Sequence, residues 1–202
     1  MRPHGTFTPA SPTVIPADLL LFGILAFVSR TWLRIRVELV GGRGDDLWPR
    51  PGRIIAAART HTFRDLATSI DDAFGRWDRA HLHQFWLSDD TRICEPDPDW
   101  DDEPVLNDRL TKLSQLKPGE QFVYEFDFGD SWLHLCTVGN ERIDPLDTLG
   151  IVPARPLPYW GWGDIPDQYG RRWDGDDGES PRPANPKLSD LPLIGPWRHL
   201  RR

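Results

Sequence analysis

Two short stretches of the sequence carry side chains that bind metals or transfer protons. The first, "HLHQF", contains His81 and His83 in alternation, and the second, "DFGDSWLH", contains Asp127, Asp130 and His134. Imidazole nitrogens and carboxylate oxygens are suitable ligands for zinc or manganese. The two alternating histidines and Asp127 are therefore candidate ligands of a divalent metal, the one cofactor that the sequence suggests.

The same residues also have a purely structural interpretation. Polar side chains on strands often complete a buried hydrogen-bond network, and Asp and Gly favour hairpin turns. A His-x-His pair without a third ligand at a fixed spacing is a weak indication of a metal. Both interpretations stay open, and a ligand site would also include the neighbouring tryptophan. The candidate ligand-binding residues are His81, His83, Asp127, Asp130, Trp132 and His134.

Alternating residues predict the strands that must position these side chains. In residues 32–39, apolar and charged residues alternate, which is typical of a half-buried strand. The apolar run at 54–58 is predicted to return as its partner. The stretch at 81–87 is predicted to be a further strand, with His81 and His83 on one face.

One amphipathic helix is predicted between these strands. Thr62 is a suitable N-cap, and Asp65 follows it near the capping-box spacing. Apolar residues then recur every three or four positions as far as Phe74. Gly75 favours the end of the helix there. A second, short helix is predicted near Leu106 from leucines at helical spacing.

The second stretch predicts a β-hairpin with one aromatic face. A two-residue turn at 129–130 places Asp127 opposite Trp132. The same register places Glu125 opposite His134, so that the acidic residues and the histidine collect on the face away from the core. The residues predicted to form the core face of the first strand are Phe122, Tyr124, Phe126 and Phe128.

Charge and composition limit the classes of function. The chain has 202 residues, a formal net charge of −7 and 39% hydrophobic residues, which is ordinary globular composition. A general nucleic-acid-binding surface needs a basic face, so nucleic acid is not the expected partner. No complete catalytic constellation is present, which favours a protein without enzyme activity. The residues that would form a local nucleic-acid site instead are Arg34, Arg36, Arg50 and Arg53.

The chain is predicted to divide into three parts: an N-terminal extension at 1–30, an α+β domain at 31–145 and an irregular Pro/Gly/Asp-rich segment at 146–202. The last segment has no helix or strand period, yet it holds too many aromatic residues for a disordered linker. Its tryptophans either seal the edge of the domain or stack on a base, a sugar or a proline of a partner. They are Trp160, Trp162 and Trp173.

Two further features bear on location. The apolar run at 19–28 is shorter than the roughly 20 residues of a membrane-spanning helix, so no membrane partner is expected. Cys94 and Cys136 lie far apart and form no CxxC pair. This favours two reduced thiols and a cytoplasmic protein.

Two segments, "AFGRWDRAHLHQF" and "YEFDFGDSWLH", are similar to the plasmid pRiA4b ORF-3-like family. The resemblance extends from about Thr31 to Ile143, and some members of the family are labelled as transposon passenger proteins. It implies an α+β domain with a β-grasp-like mixed sheet packed against one main amphipathic helix. The segment after the hairpin lacks the cysteines that many members have there, so a metal role for those cysteines is absent.

Because the family is largely uncharacterised, the resemblance implies little about biochemistry. The leading interpretation is a non-catalytic module that binds an unknown protein or small ligand, linked to mobile elements through the family's label. The alternative is a metal-dependent hydrolase or nuclease that uses the two strand histidines and three hairpin residues. Those residues are His81, His83, Asp127, Asp130 and His134.

Overall fold

The computed structural model describes residues 32–97, 104–141, 143–171, 176 and 181. The expected N-terminal extension, with its apolar run at 19–28, lies outside the described residues, and so does Trp173. Among the described residues, no helix is long and apolar enough to cross a membrane.

In the described part of the chain, nine β-strands form one sheet. The strands are Trp32–Gly42 (β1), Asp45–Asp46 (β2), Gly52–Ala58 (β3), His83–Trp86 (β4), Arg92–Cys94 (β5), Leu106–Asn107 (β6), Gln121–Phe126 (β7), Trp132–Val138 (β8) and Leu157–Trp162 (β9). The helices are Phe63–Ala73 (α1) and Pro145–Leu149 (α2), with a 3-10 turn at Leu113–Gln115.

The sheet is mixed and packs against one main helix. Its strand order is β6-β5-β4-β7-β8-β1-β3-β9, and the short β2 pairs with β1. All neighbouring strands are antiparallel except β5 and β6, which are parallel. This arrangement confirms the α+β class, whereas the β-grasp label stays a prediction.

Strand β1 confirms the alternation that the sequence predicted. We call the side of the sheet that packs against α1 the helix face, and the other side the open face. On the helix face β1 buries Leu33, Ile35, Val37 and Leu39. On the open face it carries Arg34, Arg36 and Glu38. Strand β3 returns antiparallel as predicted, with Ile55 opposite Ile35.

Helix α1 begins and ends where the sequence indicated. The Thr62 hydroxyl accepts a hydrogen bond from the Asp65 N–H at 3.0 Å, and the Asp65 carboxylate accepts one from the Thr62 N–H at 2.9 Å. This capping box satisfies two donors that the first turn leaves unpaired. Gly75 follows the helix with a φ of +66°, a conformation that favours glycine.

The hairpin β7–β8 forms, but its register differs from the predicted one. Phe126 pairs with Trp132, so the connecting loop spans residues 127–131 instead of a two-residue turn. The cause is Asp127, which adopts a φ of +60° and accepts hydrogen bonds from the N–H groups of Gly129 and Asp130. These contacts end the first strand two residues earlier than expected, at Phe126 instead of Phe128.

The new register moves two candidate residues to the opposite side of the sheet. Tyr124 pairs with His134, and both lie on the helix face together with Trp132. Glu125 instead lies on the open face, opposite Leu133. The prediction that Glu125 and His134 share a face is therefore wrong, although the burial of the aromatic residues Tyr124 and Phe126 is confirmed.

Three smaller differences also concern the site. Strand β4 begins at His83, so His81 lies before the strand rather than in it. Phe128 is 46% exposed because it falls in the hairpin loop and not on the aromatic face. No helix forms near Leu106, which pairs in parallel with Ile93 instead.

Strand β9 was not predicted, because its sequence has no strand period. Its residues pair with β3, and the register shifts between Ile54 and Ile55, as at a β-bulge. The bulge breaks the simple alternation that sequence patterns detect. Aromatic side chains nevertheless favour strands, and β3 offers an unpaired edge.

Candidate functional site

The structure brings two of the sequence candidates, His81 and Asp127, into contact beside the hairpin loop. His81 Nδ1 lies 3.2 Å from Asp127 Oδ2. The imidazole also packs edge-on against Phe126, with ring centroids 5.9 Å apart. The carboxylate is buried and the imidazole is partly exposed, so the pair lies at the protein surface with its acid on the inside.

The other nitrogen of His81 meets the C-terminal segment. Nε2 lies 2.9 Å from the Tyr169 hydroxyl, which donates a hydrogen bond to Asp78 at 2.8 Å. Burial and the neighbouring Asp78 carboxylate raise the pKa of Tyr169 to about 12. A phenol with a raised pKa is not an activated nucleophile. These contacts therefore attach the stretch around Tyr169 to the loop that carries Asp78 and His81.

Neighbouring residues strengthen the same attachment. The Gln168 side chain is fully buried, accepts a hydrogen bond from the Asp78 N–H at 3.0 Å and donates one to the Asp78 carbonyl at 3.1 Å. Trp77 packs edge-on against Tyr169, and the Arg171 guanidinium lies 4.2 Å from the centre of the Trp77 ring. Residues 168–171 are thus fixed over the loop that precedes β4.

His83 lies in a separate polar group at the other end of α1. Its Nε2 is 2.9 Å from Asp108 Oδ2, and Arg64 Nη1 is 3.4 Å from the same oxygen. Burial alone would raise the pKa of Asp108, but the hydrogen bond from His83 and the charge of Arg64 outweigh it and lower the pKa. The group connects helix α1 to strand β4.

Trp132 and His134 are buried on the helix face. The His134 ring is fully buried and packs edge-on against Phe74, at 4.7 Å between centroids. Burial, together with repulsion from Arg76, lowers the pKa of His134 to about 3. The Arg76 guanidinium stacks on Trp132, 3.7 Å from the ring centre. Both rings are parts of the core and do not meet solvent.

Asp130 takes a fourth position, in the hairpin loop. Its carboxylate lies 3.4 Å from Arg43 Nη1, and its carbonyl accepts a hydrogen bond from the Arg43 N–H at 2.6 Å. These contacts tie the hairpin loop to the turn after β1. Within the described part of the chain, no group of three or more His, Cys, Asp or Glu side chains is arranged to hold a metal ion.

A different site lies along the outer edge of β9. An open groove of about 490 Å³ is lined by Arg53 and by residues 158–163. Trp160 is 61% exposed there, and its ring lies 5.5 Å from that of Trp162, at an angle of 41°. Contiguous exposed apolar patches on soluble proteins often mark binding surfaces.

The second tryptophan of the groove is held firmly. Trp162 Nε1 donates to the Arg50 carbonyl at 2.9 Å, and the Arg36 guanidinium lies 4.5 Å from the ring centre. The ring covers Gly52, where an added Cβ would come within 2.1 Å of the indole. Only glycine permits this contact. Gly52 therefore lets the Trp162 ring pack on β3, next to the exposed side chain of Trp160.

Arg53 approaches the groove from the helix face. Its Nη1 donates to the Gly52 carbonyl at 2.8 Å and to the Trp162 carbonyl at 3.0 Å. Burial lowers the pKa of Arg53, but a guanidinium remains charged at neutral pH. Among the described residues, no carboxylate forms an ion pair with it.

Comparison with known proteins identifies the scaffold that carries these sites. The sequence model of the plasmid pRiA4b ORF-3-like protein family matches residues 32–150, more than half of the chain. The chain belongs to this family. The match runs from β1 to α2 and confirms the resemblance seen in the histidine and hairpin segments.

A solved structure is similar to this pRiA4b ORF-3-like chain. It is the crystal structure of MM3350, a protein of unknown function from Methanosarcina mazei Go1, with a TM-score of 0.54 and 21% sequence identity. The similarity covers 69% of this chain and 74% of MM3350. At this identity it shows a shared fold and nothing about activity. No curated protein matches the sequence.

In this pRiA4b ORF-3-like protein, the sequence did not predict which residues contact the candidates His81 and His83. His83 meets Asp108, which is 25 positions away, and His81 meets Tyr169, which is 88 positions away. No spacing rule connects residues across such distances, because chain reversals bring them together. Trp160 and Trp162 were among the stacking candidates, but their position on an edge strand required the structure.

Proposed function

We propose that this pRiA4b ORF-3-like chain is a non-catalytic module that binds a partner protein through an extended segment laid along β9. The observation that carries the proposal is Trp160, which is 61% exposed on an edge strand beside an open groove. An exposed indole next to a second, fixed indole offers a large apolar contact at small conformational cost.

The edge of β9 supports the binding of an extended chain. β9 ends the strand order on its side, and among the described residues its backbone pairs only with β3. Unpaired main-chain groups at a sheet edge readily accept another strand, which is a common mode of peptide recognition. Alternate side chains of that strand would then face Trp160 and Trp162.

The lining of the groove supports binding rather than catalysis. It consists of aromatic residues, glycines, one proline and Arg53. General acid–base catalysis at neutral pH uses groups such as imidazole or carboxyl with suitable pKa values, and the lining contains neither.

The proposal includes the setting of the module. We place it in the cytoplasm, because the chain has only two cysteines and Cys136 is a free, buried thiol, as is usual in reducing compartments. The association with mobile elements, which the family label implies, is part of the same proposal. The partner would then be a host protein or an element-encoded protein.

Selection from a displayed random-peptide library tests the proposal. The library is panned against the immobilised full chain, against Trp160→Ala and against Trp48→Ala as the matched control. Trp48 is 87% exposed and does not line the groove. We expect peptides that bind the wild type and Trp48→Ala but not Trp160→Ala, with unchanged circular dichroism for both variants. Peptides that bind Trp160→Ala equally well, or no enrichment, would contradict the proposal.

The metal-dependent hydrolase remains the alternative, and one contact favours it. The 3.2 Å approach of Asp127 to His81 Nδ1 is the arrangement in which a carboxylate orients a metal-binding imidazole. The opposite nitrogen, Nε2, contacts Tyr169, and His83 lies in the separate group with Asp108. Metal binding at His81 would therefore require Tyr169 to release the imidazole.

A further inference from the structure

We infer that the segment bound along β9 is acidic, with a carboxylate against Arg53 and apolar side chains against Trp160 and Trp162. This inference rests on the proposed function and adds the charge and the pattern of the ligand. It follows from three properties of the groove: the orientation of its cation, the lack of a compensating anion and the faces on which its residues lie.

The Arg53 guanidinium is held in place by hydrogen bonds that use only one of its three nitrogens. Its Nη1 is occupied by the carbonyls of Gly52 and Trp162, and its Cδ would lie 2.5 Å from a Cβ added at Gly161. The absence of a side chain at Gly161 therefore lets the arginine lie flat across β9. Nε and Nη2 have no hydrogen-bond acceptor among the described residues, and a carboxylate can bind both in the fork geometry typical of arginine.

The charge of Arg53 is uncompensated within the groove. The lining contains no Asp or Glu. The neighbouring Arg36, by contrast, forms an ion pair with Glu38 at 2.7 Å, which offsets its charge. Because Arg53 is half-buried, its attraction for a ligand carboxylate is screened less than that of an exposed arginine. The groove should therefore favour acidic over neutral segments and neutral over basic ones.

The two kinds of contact lie on opposite faces of β9. Trp160 and Trp162 pair with Ile54 and Gly52 on the open face, whereas Gly161 pairs with Arg53 toward the helix face. Successive side chains of an extended peptide also alternate between faces. A segment that alternates apolar and acidic residues therefore presents its apolar side to the tryptophans and its carboxylates to the arginine.

Fluorescence anisotropy with three labelled peptides tests the inference. The peptides alternate valine with glutamate, with glutamine or with lysine, and the protein is the full chain. We expect the valine–glutamate peptide to bind about tenfold more tightly than the valine–glutamine peptide, with the valine–lysine peptide weakest. Arg53→Gln should remove this preference. Arg50→Gln, at an arginine outside the lining, is the matched control and should retain it.

A second variant, Arg53→Lys, keeps the test valid if Arg53→Gln fails to fold. Arg53→Lys retains the charge without the fork, so it should keep the order of the three peptides with a smaller ratio between them. Equal binding of the glutamate and glutamine peptides, a preference that survives Arg53→Gln, or no binding of any peptide overturns the inference. Binding of the glutamine peptide that depends on Trp160 but shows no acid preference would leave the proposed function intact. A library selection that yields no peptide whose binding depends on Trp160 would instead contradict the proposed function.

Discussion

The Tyr124 hydroxyl donates a 2.7 Å hydrogen bond to Asp71 inside the core and so joins β7 to α1. Arg79 Nη1 lies 3.3 Å from the other carboxylate oxygen. Burial raises the pKa of Asp71 to about 6, although Arg79 and the hydrogen bond from Tyr124 oppose the rise. The interface between helix and sheet thus contains a carboxyl group that titrates just below neutral pH.

Asp71 should make the fold more stable as the pH falls. Its pKa is about 6 in the folded protein and 3.8 without the fold, so its contribution is full below pH 3.8 and is lost as the pH rises through 6. Asp71→Asn resembles the protonated form. We expect it to reduce this part of the pH dependence and to raise the free energy of unfolding above pH 6 by up to about 3 kcal/mol. Denaturant titrations between pH 4 and 7 measure the effect.

The matched control is Asp72→Asn, on the same helix. Asp72 pairs with Arg79 at 2.6 Å but is not buried. This variant should retain the wild-type dependence of unfolding free energy on pH. The same pH dependence in Asp71→Asn as in the wild type would show that Asp71 is not the titrating group.

His134 should act in the opposite direction. Its pKa is lowered from 6.5 to about 3, so its contribution to stability is present above pH 6.5 and is lost as the pH falls toward 3. We expect His134→Phe to unfold at lower pH than the wild type in an acid titration followed by near-ultraviolet circular dichroism. Cys136→Ala, on the same face of β8, should lower stability through a cavity without changing the acid dependence. Equal acid midpoints for His134→Phe and the wild type would exclude this role.

Gly52→Ala should disturb the groove directly. The new Cβ would lie 2.1 Å from the Trp162 indole, so the ring must move, at a cost of about 1–3 kcal/mol in stability. We also expect weaker binding of any peptide that depends on Trp160, measured by anisotropy. Gly44→Ala is the control, because Gly44 has a φ of +80° and no atom near its Cβ position, so only backbone strain results. Undiminished peptide affinity in Gly52→Ala would show that peptide binding does not depend on the position of the Trp162 ring.

Metal analysis distinguishes the binding module from the hydrolase alternative. For a non-catalytic module we expect chelator to leave the melting temperature unchanged. We also expect His81→Ala to change the melting temperature by the same amount with and without added zinc. His61→Ala, at a histidine whose Nδ1 accepts a hydrogen bond from the Ala58 N–H, is the control. Stoichiometric zinc or manganese that is lost in His81→Ala, but not in His61→Ala, would support the hydrolase.

Local patterns predicted the elements that depend on neighbouring residues. The capping box at Thr62 and Asp65 and the alternation of β1 are both confirmed, because each is set by residues within a few positions of one another. The hairpin register failed because an Asx-type turn at Asp127 lengthened the loop, and one position of shift moves side chains to the other face. The separate polar groups of His81 and His83 depend on residues from distant segments.

The match of this chain to the family model ends at residue 150, whereas the strand that forms the groove spans Leu157–Trp162. Most of the surface proposed to recognise a partner is therefore encoded after the family-matched stretch, while Arg53 comes from within it. Exchange of the later stretch should therefore change the choice of partner while α1 and the strands from β1 to β8 keep their places.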